Sequence, residues 1–126
     1  MTGKRLLVVD DDPEFGEFVR KVALQVTYQV EVVTDGNAFK RCHEKFKPTI
    51  VVLEIVMPGV DGLELMQWLA ERKSTVHLII ASGYAPMYAD LARKLAQAKG
   101  LRPVTILPKP VKPAELRAAL AGSLGR

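Results

Sequence analysis

Five short runs of β-branched and aliphatic residues, separated by longer stretches of helical period, constrain this chain more than any other feature. They are "RLLVV" (5 to 9), "QVEVV" (29 to 33), "TIVVL" (49 to 53), "HLIIA" (77 to 81) and "VTIL" (104 to 107). Runs that are apolar almost throughout belong to strands buried on both faces, and such strands lie parallel because crossover helices cover the sheet. The intervening periodicity predicts helices over 13–26, 37–46, 62–72, 86–99 and 113–123. The alternation predicts an α/β fold: one doubly wound sandwich, a parallel five-stranded sheet with five helices. Boundary residues agree. Asp12 stands before Pro13 as a helix cap, and Glu14 and Glu17 suit the positive end of a helix dipole. Gly100 follows Lys99 as a stop, and Pro113 opens the last helix behind Lys112.

With 126 residues, 48% of them hydrophobic, the chain can bury one sizeable core. No linker, repeat or low-complexity segment divides it, so residues 1–126 are expected to form a single domain. No apolar run reaches 18 residues, and acids interrupt the first strand's apolar run, which predicts neither a membrane span nor a signal peptide. Cys42 is the single cysteine. An internal disulfide is therefore impossible, a reducing cytoplasm is the expected location, and the thiol's role is packing. Charge is uneven: residues 1–72 hold 9 Lys/Arg against 12 Asp/Glu, residues 73–126 hold 9 against 2. The late bases are scattered among Ala and Leu without a basic run, so nucleic-acid binding through this domain is not expected.

In a doubly wound sheet, ligands sit at the carboxyl ends of the strands. The first strand ends in Asp10, Asp11 and Asp12, the third in Glu54, the fourth in Ser82 and Gly83, and the fifth in Lys109 and Pro110. Clustered carboxylates repel one another unless a cation intervenes, and hard oxygen ligands suit Mg²⁺. A lysine and a hydroxyl facing that ion complete a site able to hold a phosphoryl group. Taken singly, Asp12 is an ordinary cap, Ser82–Gly83 an ordinary turn and Lys109 an ordinary surface charge; together they point to a site. His43 and His77 have no companion at metal-ligand spacing and are expected to be structural, and Trp68, at helical spacing with Leu65 and Leu69, is expected in the core.

The stretches "LLVVDDDPEF", "VVLEIVMPGVDGLEL", "IIASGY" and "LPKPVKPAEL", in this order and over nearly the whole chain, resemble the receiver domain of bacterial two-component response regulators. That resemblance implies a flavodoxin-like fold with strand order 2-1-3-4-5, and a histidine kinase that passes a phosphoryl group to an aspartate after the third strand. It implies Mg²⁺ held by Asp10, Asp11, the acceptor-position carboxylate Glu54 and the backbone carbonyl of Val56. Ser82 would be the hydroxyl that moves toward the phosphoryl group and Lys109 its cationic partner, with a cis Lys109–Pro110 peptide. The chain departs from the pattern in three places. Glu54 stands where the acceptor aspartate belongs. Ile106 stands where a Tyr or Phe often swings inward. The segment from Ser82 to Lys109 is several residues longer than usual, a faint similarity to receivers attached to cyclic-di-GMP phosphodiesterase domains.

Glu in place of Asp adds one methylene and moves the carboxylate by about 1.3 Å. Positioning supplies most of the catalysis of phosphoryl transfer, so the displacement costs on the order of a hundredfold or more. Glu54 also imitates a phosphorylated acceptor only in part, since it carries one negative charge rather than about −1.5 to −2. The leading expectation is a signalling module rather than an enzyme, degenerate at its acceptor, binding Mg²⁺ weakly and acting through protein contact. Its binding face is expected on the fourth helix, fifth strand and fifth helix, where Arg93, Lys94, Lys99, Arg102, Lys112 and Arg117 favour an acidic partner. That partner is another protein, a C-terminal output domain or a second copy. The alternatives are residual Mg²⁺-dependent phosphoryl acceptance, or a Mg²⁺-dependent phosphotransfer enzyme on a similar sheet; the enzyme would want a cap insertion, and no segment is long enough. A flavin or nucleotide binder would want a Gly-rich turn where Asp10-Asp11-Asp12-Pro13 stands.

Overall fold

The computed structural model describes residues 4–124. Its elements run β1 (Arg5–Val9), α1 (Pro13–Gln25), β2 (Gln29–Val33), α2 (Gly36–Phe46), β3 (Ile50–Leu53), α3 (Gly62–Glu71), β4 (His77–Ser82), α4 (Ala85–Ala98), β5 (Thr105–Pro108) and α5 (Pro113–Leu124). The strands form one parallel sheet in the order β2-β1-β3-β4-β5. Both the α/β class and the strand order match the expectation. Strand β5 is displaced by one residue and runs on through Pro108, opposite Ser82 of β4. Lys109 thus leaves the sheet beside Ser82.

An all-apolar strand still alternates, because successive side chains point to opposite faces. Leu6, Val8, Ile50, Val52, Ile79 and Ala81 turn to the side covered by Val19, Val22 and Ala23 of α1 and Leu116 and Leu120 of α5. Leu7, Val9, Val51, Leu53, Leu78 and Ile80 turn to the side of Phe39 on α2, Leu65, Met66 and Leu69 on α3, and Ala92 and Ala96 on α4. Burying each larger side chain stabilises the fold by about 1.5–3 kcal/mol, so the paired faces fix the register firmly. Cys42 packs partly buried against the second of these faces, as expected.

Helix starts are written into the sequence. Asp12 accepts the Glu14 amide at 3.0 Å and Asp35 the Ala38 amide at 2.8 Å, while Asp61 and Glu64 form a reciprocal capping box. Gly100, at φ 79°, follows α4 in the left-handed region that ends helices. Among the described residues no helix is long and apolar enough to cross a membrane.

Trp68 is a correction. It packs against the core between α2 and α3 but is only half-buried, with the Arg72 guanidinium over its ring at 3.8 Å and His43 edge-on at 5.1 Å. His43 is structural, as expected. Burial holds its pKa below the ordinary 6.5 and Arg72 opposes its charge, against the pull of Glu44, whose carboxylate lies 3.7 Å from Nδ1. Because the folded value is the lower one, His43 contributes stability that is full above pH 6.5 and is lost as the pH falls through the folded value. Urea midpoints measured from pH 7.5 downward should therefore fall more steeply for the parent than for His43→Phe; parallel curves would contradict this.

Candidate functional site

The three consecutive acids after β1 do three different things. The Asp10 amide donates to the Val33 carbonyl at 3.2 Å, continuing the ladder, and this turns its side chain inward to 2% exposure. Its Oδ1 accepts the Asp12 amide at 2.9 Å. Asp12 caps α1, and Asp11 between them faces solvent. Asp11 thus stands beside the pocket rather than inside it.

Glu54 extends β3 in the same way, its amide donating to the Val9 carbonyl at 3.1 Å, and it is 5% exposed. Its longer side chain folds back over its own loop. Oε2 accepts the Ile55 amide at 2.7 Å and the Val56 amide at 3.3 Å, leaving Oε1 to accept from Lys109 Nζ at 3.0 Å. The same ammonium donates to Asp10 Oδ2 at 2.7 Å. Lys109 is delivered by β5, with its amide on the Ser82 carbonyl at 3.0 Å and a cis bond to Pro110, as the sequence implied. Ser82 is fully buried, and its Oγ accepts the Tyr84 amide at 3.0 Å. The fold brings Asp10, Glu54 and Lys109 into direct contact and sets Ser82 on the adjoining strand end. Val56 lies at the rim, exposed, with its amide turned to Glu54.

Burial pushes the Asp10 carboxyl up, against the pull of Lys109 and the Asp12 amide. Burial alone would lower Lys109, but its hydrogen bonds to Asp10 and Glu54 outweigh that and raise it. The lysine is an ammonium bridging two buried carboxylates, an arrangement in which removal of either sign leaves the other uncompensated.

Hard oxygen donors fit Mg²⁺ in kind, since that ion takes one or two carboxylates and keeps several waters. Asp10, with Asp11 beside it, could supply them, joined by Glu54 and the Val56 carbonyl. They do not form a ready-made cage. Among the described residues no three acids, histidines or cysteines gather closely enough to hold a metal, and Lys109 already takes the cation's place between Asp10 and Glu54.

Two features escaped the sequence reading. Phe15 of α1 lies under the Lys109 ammonium, 4.2 Å from Nζ to its ring centre. Tyr84, the cap residue before α4, and Met87 and Leu91 on α4 are 50%, 73% and 50% exposed. Their spacing puts them on one helical stripe, a signal that periodicity could have supplied. The basic residues expected near this face divide. Arg117 turns to Gln25 on α1 and Arg102 to His77, while Arg93 pairs with its neighbour Asp90 at 3.6 Å. Ile106 is half-buried and packs against the core face shared with α4.

The profile of the response regulator receiver domain matches residues 6–121. The chain belongs to this receiver family. Among the receiver's relatives, the transcriptional regulatory protein TctD of Salmonella typhimurium is 33% identical over 124 residues, 97% of this chain and 52% of TctD. The response regulator MprA of Mycolicibacterium vanbaalenii is 30% identical over 122 residues, 97% of this chain and 51% of MprA. The receiver therefore spans about half the length of these curated relatives. A response regulator from Colwellia psychrerythraea superposes with a TM-score of 0.80 at 29% identity, covering 98% of this chain and 99% of that one. The flavodoxin-like receiver fold and a place in two-component signalling follow.

Proposed function

We propose that this receiver is degenerate at its phosphoacceptor and signals through protein contact. One observation carries the proposal: at the acceptor position stands Glu54, with both carboxylate oxygens engaged, one by Lys109 and the other by the Ile55 and Val56 amides. A nucleophile already holding the pocket's cation and two amides is displaced from the place a shorter acceptor would occupy and is stabilised where it is. Mg²⁺ binds weakly at Asp10, Asp11, Glu54 and the Val56 carbonyl, because it must compete with the Lys109 ammonium. The protein works in the cytoplasm, residues 1–126 acting as one receiver unit. The contact face is the α4–β5–α5 side, where the Tyr84–Met87–Leu91 stripe offers apolar area beside the exposed Lys94, Lys99 and Lys112. An acidic protein surface, an output domain of the kind its longer relatives have room for, or a second copy would fit it. A histidine kinase partner belongs to the alternative, residual phosphoacceptance, which the convergence of Asp10 and Lys109 on Glu54 keeps open.

Incubation of the protein with a small phosphodonor and Mg²⁺, followed by intact mass, tests this. Little or no added phosphoryl mass is expected; ready uptake would make Glu54 a working acceptor and overturn the proposal. A double-mutant cycle on Glu54→Gln and Lys109→Met tests the pairing on which it rests. Contacting charges in a shared network should show a coupling of about 1 kcal/mol or more in urea unfolding, and additivity would mean that the pair does not matter.

A further inference from the structure

We propose that Phe15 is a positioning residue that holds the Lys109 ammonium onto Asp10 and Glu54, and so sets how weakly the site answers a divalent cation. The second half rests on the proposed Mg²⁺ ligands; the first stands on geometry alone. Lys109 Nζ has three neighbours from three elements: Asp10 Oδ2 at 2.7 Å after β1, Glu54 Oε1 at 3.0 Å after β3, and the Phe15 ring centre at 4.2 Å on α1. A lysine is a point charge on a flexible four-carbon stem, and two acceptors do not fix such a stem. The negative face of an aromatic ring attracts an ammonium, the more so where water is excluded, and Lys109 is only 22% exposed.

The ring is itself held. Phe15 follows the Asp12 cap and Pro13 at the start of α1, meets Phe18 at 5.8 Å between ring centres, and packs with it against the buried face beneath α1. It therefore presents a fixed surface. A divalent ion seeking Asp10 must first displace the ammonium from Oδ2, and every contact that retains the ammonium raises the concentration of ion required. Phe15 adds such a contact without offering the ion any ligand. An aliphatic side chain of similar bulk would fill the space and not the role.

The test compares the parent with Phe15→Leu, which keeps bulk and removes the ring, Phe15→Tyr, which keeps the ring, and Val22→Ala, which perturbs the same helix at a buried position away from the ring and the ammonium. The ¹⁵N ammonium resonance that Lys109→Met abolishes reports the clamp. Its exchange with solvent should quicken by about threefold to tenfold in Phe15→Leu, the range a lost cation–π contact allows, and stay near the parent rate in Phe15→Tyr and Val22→Ala. Mg²⁺ titration followed by the amides of residues 10–12 should reach half-saturation at a several-fold lower concentration in Phe15→Leu only. Unchanged exchange in Phe15→Leu, or an equal change in Val22→Ala, overturns the clamp. A parent whose amides ignore Mg²⁺ overturns the metal assignment and the second half of the proposal, while the ammonium exchange still decides the first.

Discussion

Glu54→Asp gains one phosphoryl mass from a small phosphodonor and Mg²⁺ under conditions where the parent gains little or none. Much of what the reaction needs is already at hand: Lys109 bridges Asp10 and this position, and Ser82 ends the neighbouring strand with its hydroxyl oxygen engaged only by the Tyr84 amide among the hydrogen bonds described. Removing one methylene retracts the carboxylate by about 1.3 Å toward β3. Restored positioning should raise the rate on the order of a hundredfold or more. Intact mass over a time course checks it, with Glu54→Ala as the variant that cannot be modified there. An unmodified Glu54→Asp would mean that the pocket has decayed beyond its acceptor. Output should change less than chemistry does. Ile106 carries no ring to couple Ser82 to the α4 face, so partner affinity should shift by less than the ~1–3 kcal/mol typical of coupled sites.

Gly62→Ala destabilises the domain by about 2–3 kcal/mol, toward the upper end of the cost of overpacking. A Cβ on Gly62 would run into the Glu54 carbonyl oxygen and stand 2.7 Å from Ile55 Cα and 2.8 Å from Leu53 Cδ2. The first two are backbone and cannot rotate away. The Gly62 amide also donates to the Ile55 carbonyl at 2.7 Å, which pins the start of α3 to the loop carrying Glu54. Gly83→Ala, whose Cβ would meet nothing within 4 Å, should stay within about 0.5 kcal/mol of the parent. Urea midpoints for the two variants decide it, and equal midpoints would mean that the α3–β3 approach is looser than its geometry.

The strands were legible because a sheet buried on both faces demands unbroken apolar runs, and only a few residues at the element ends moved. Strand-end logic placed Asp10, Glu54 and Lys109 in one pocket for the same reason: the fold leaves few places for a polar residue that follows a buried strand. Asp10 continues the β1 ladder and turns into the pocket, whereas Asp11, at the bend that follows, faces solvent. Phe15 and Trp68 mark where sequence reading stops. Phe15 meets a lysine 94 positions away, and Trp68 meets His43 from another helix, contacts that leave no periodic trace; only the Trp68–Arg72 contact, four positions apart on α3, follows helical spacing. The return of the Glu54 carboxylate to its own loop amides was likewise invisible, being a choice among rotamers.

The Lys109–Asp10 bond joins residues 99 positions apart, and the Lys109–Glu54 bond joins residues 55 apart. During synthesis from the N-terminus, both acids emerge long before the lysine that neutralises them. Until β5 is made and docks, Asp10 and Glu54 would have to come together as an uncompensated pair, which opposes early pairing of β1 with β3 at their carboxyl ends. The ion cluster therefore reports completeness: it can form only on a chain that has been translated and folded through its fifth strand.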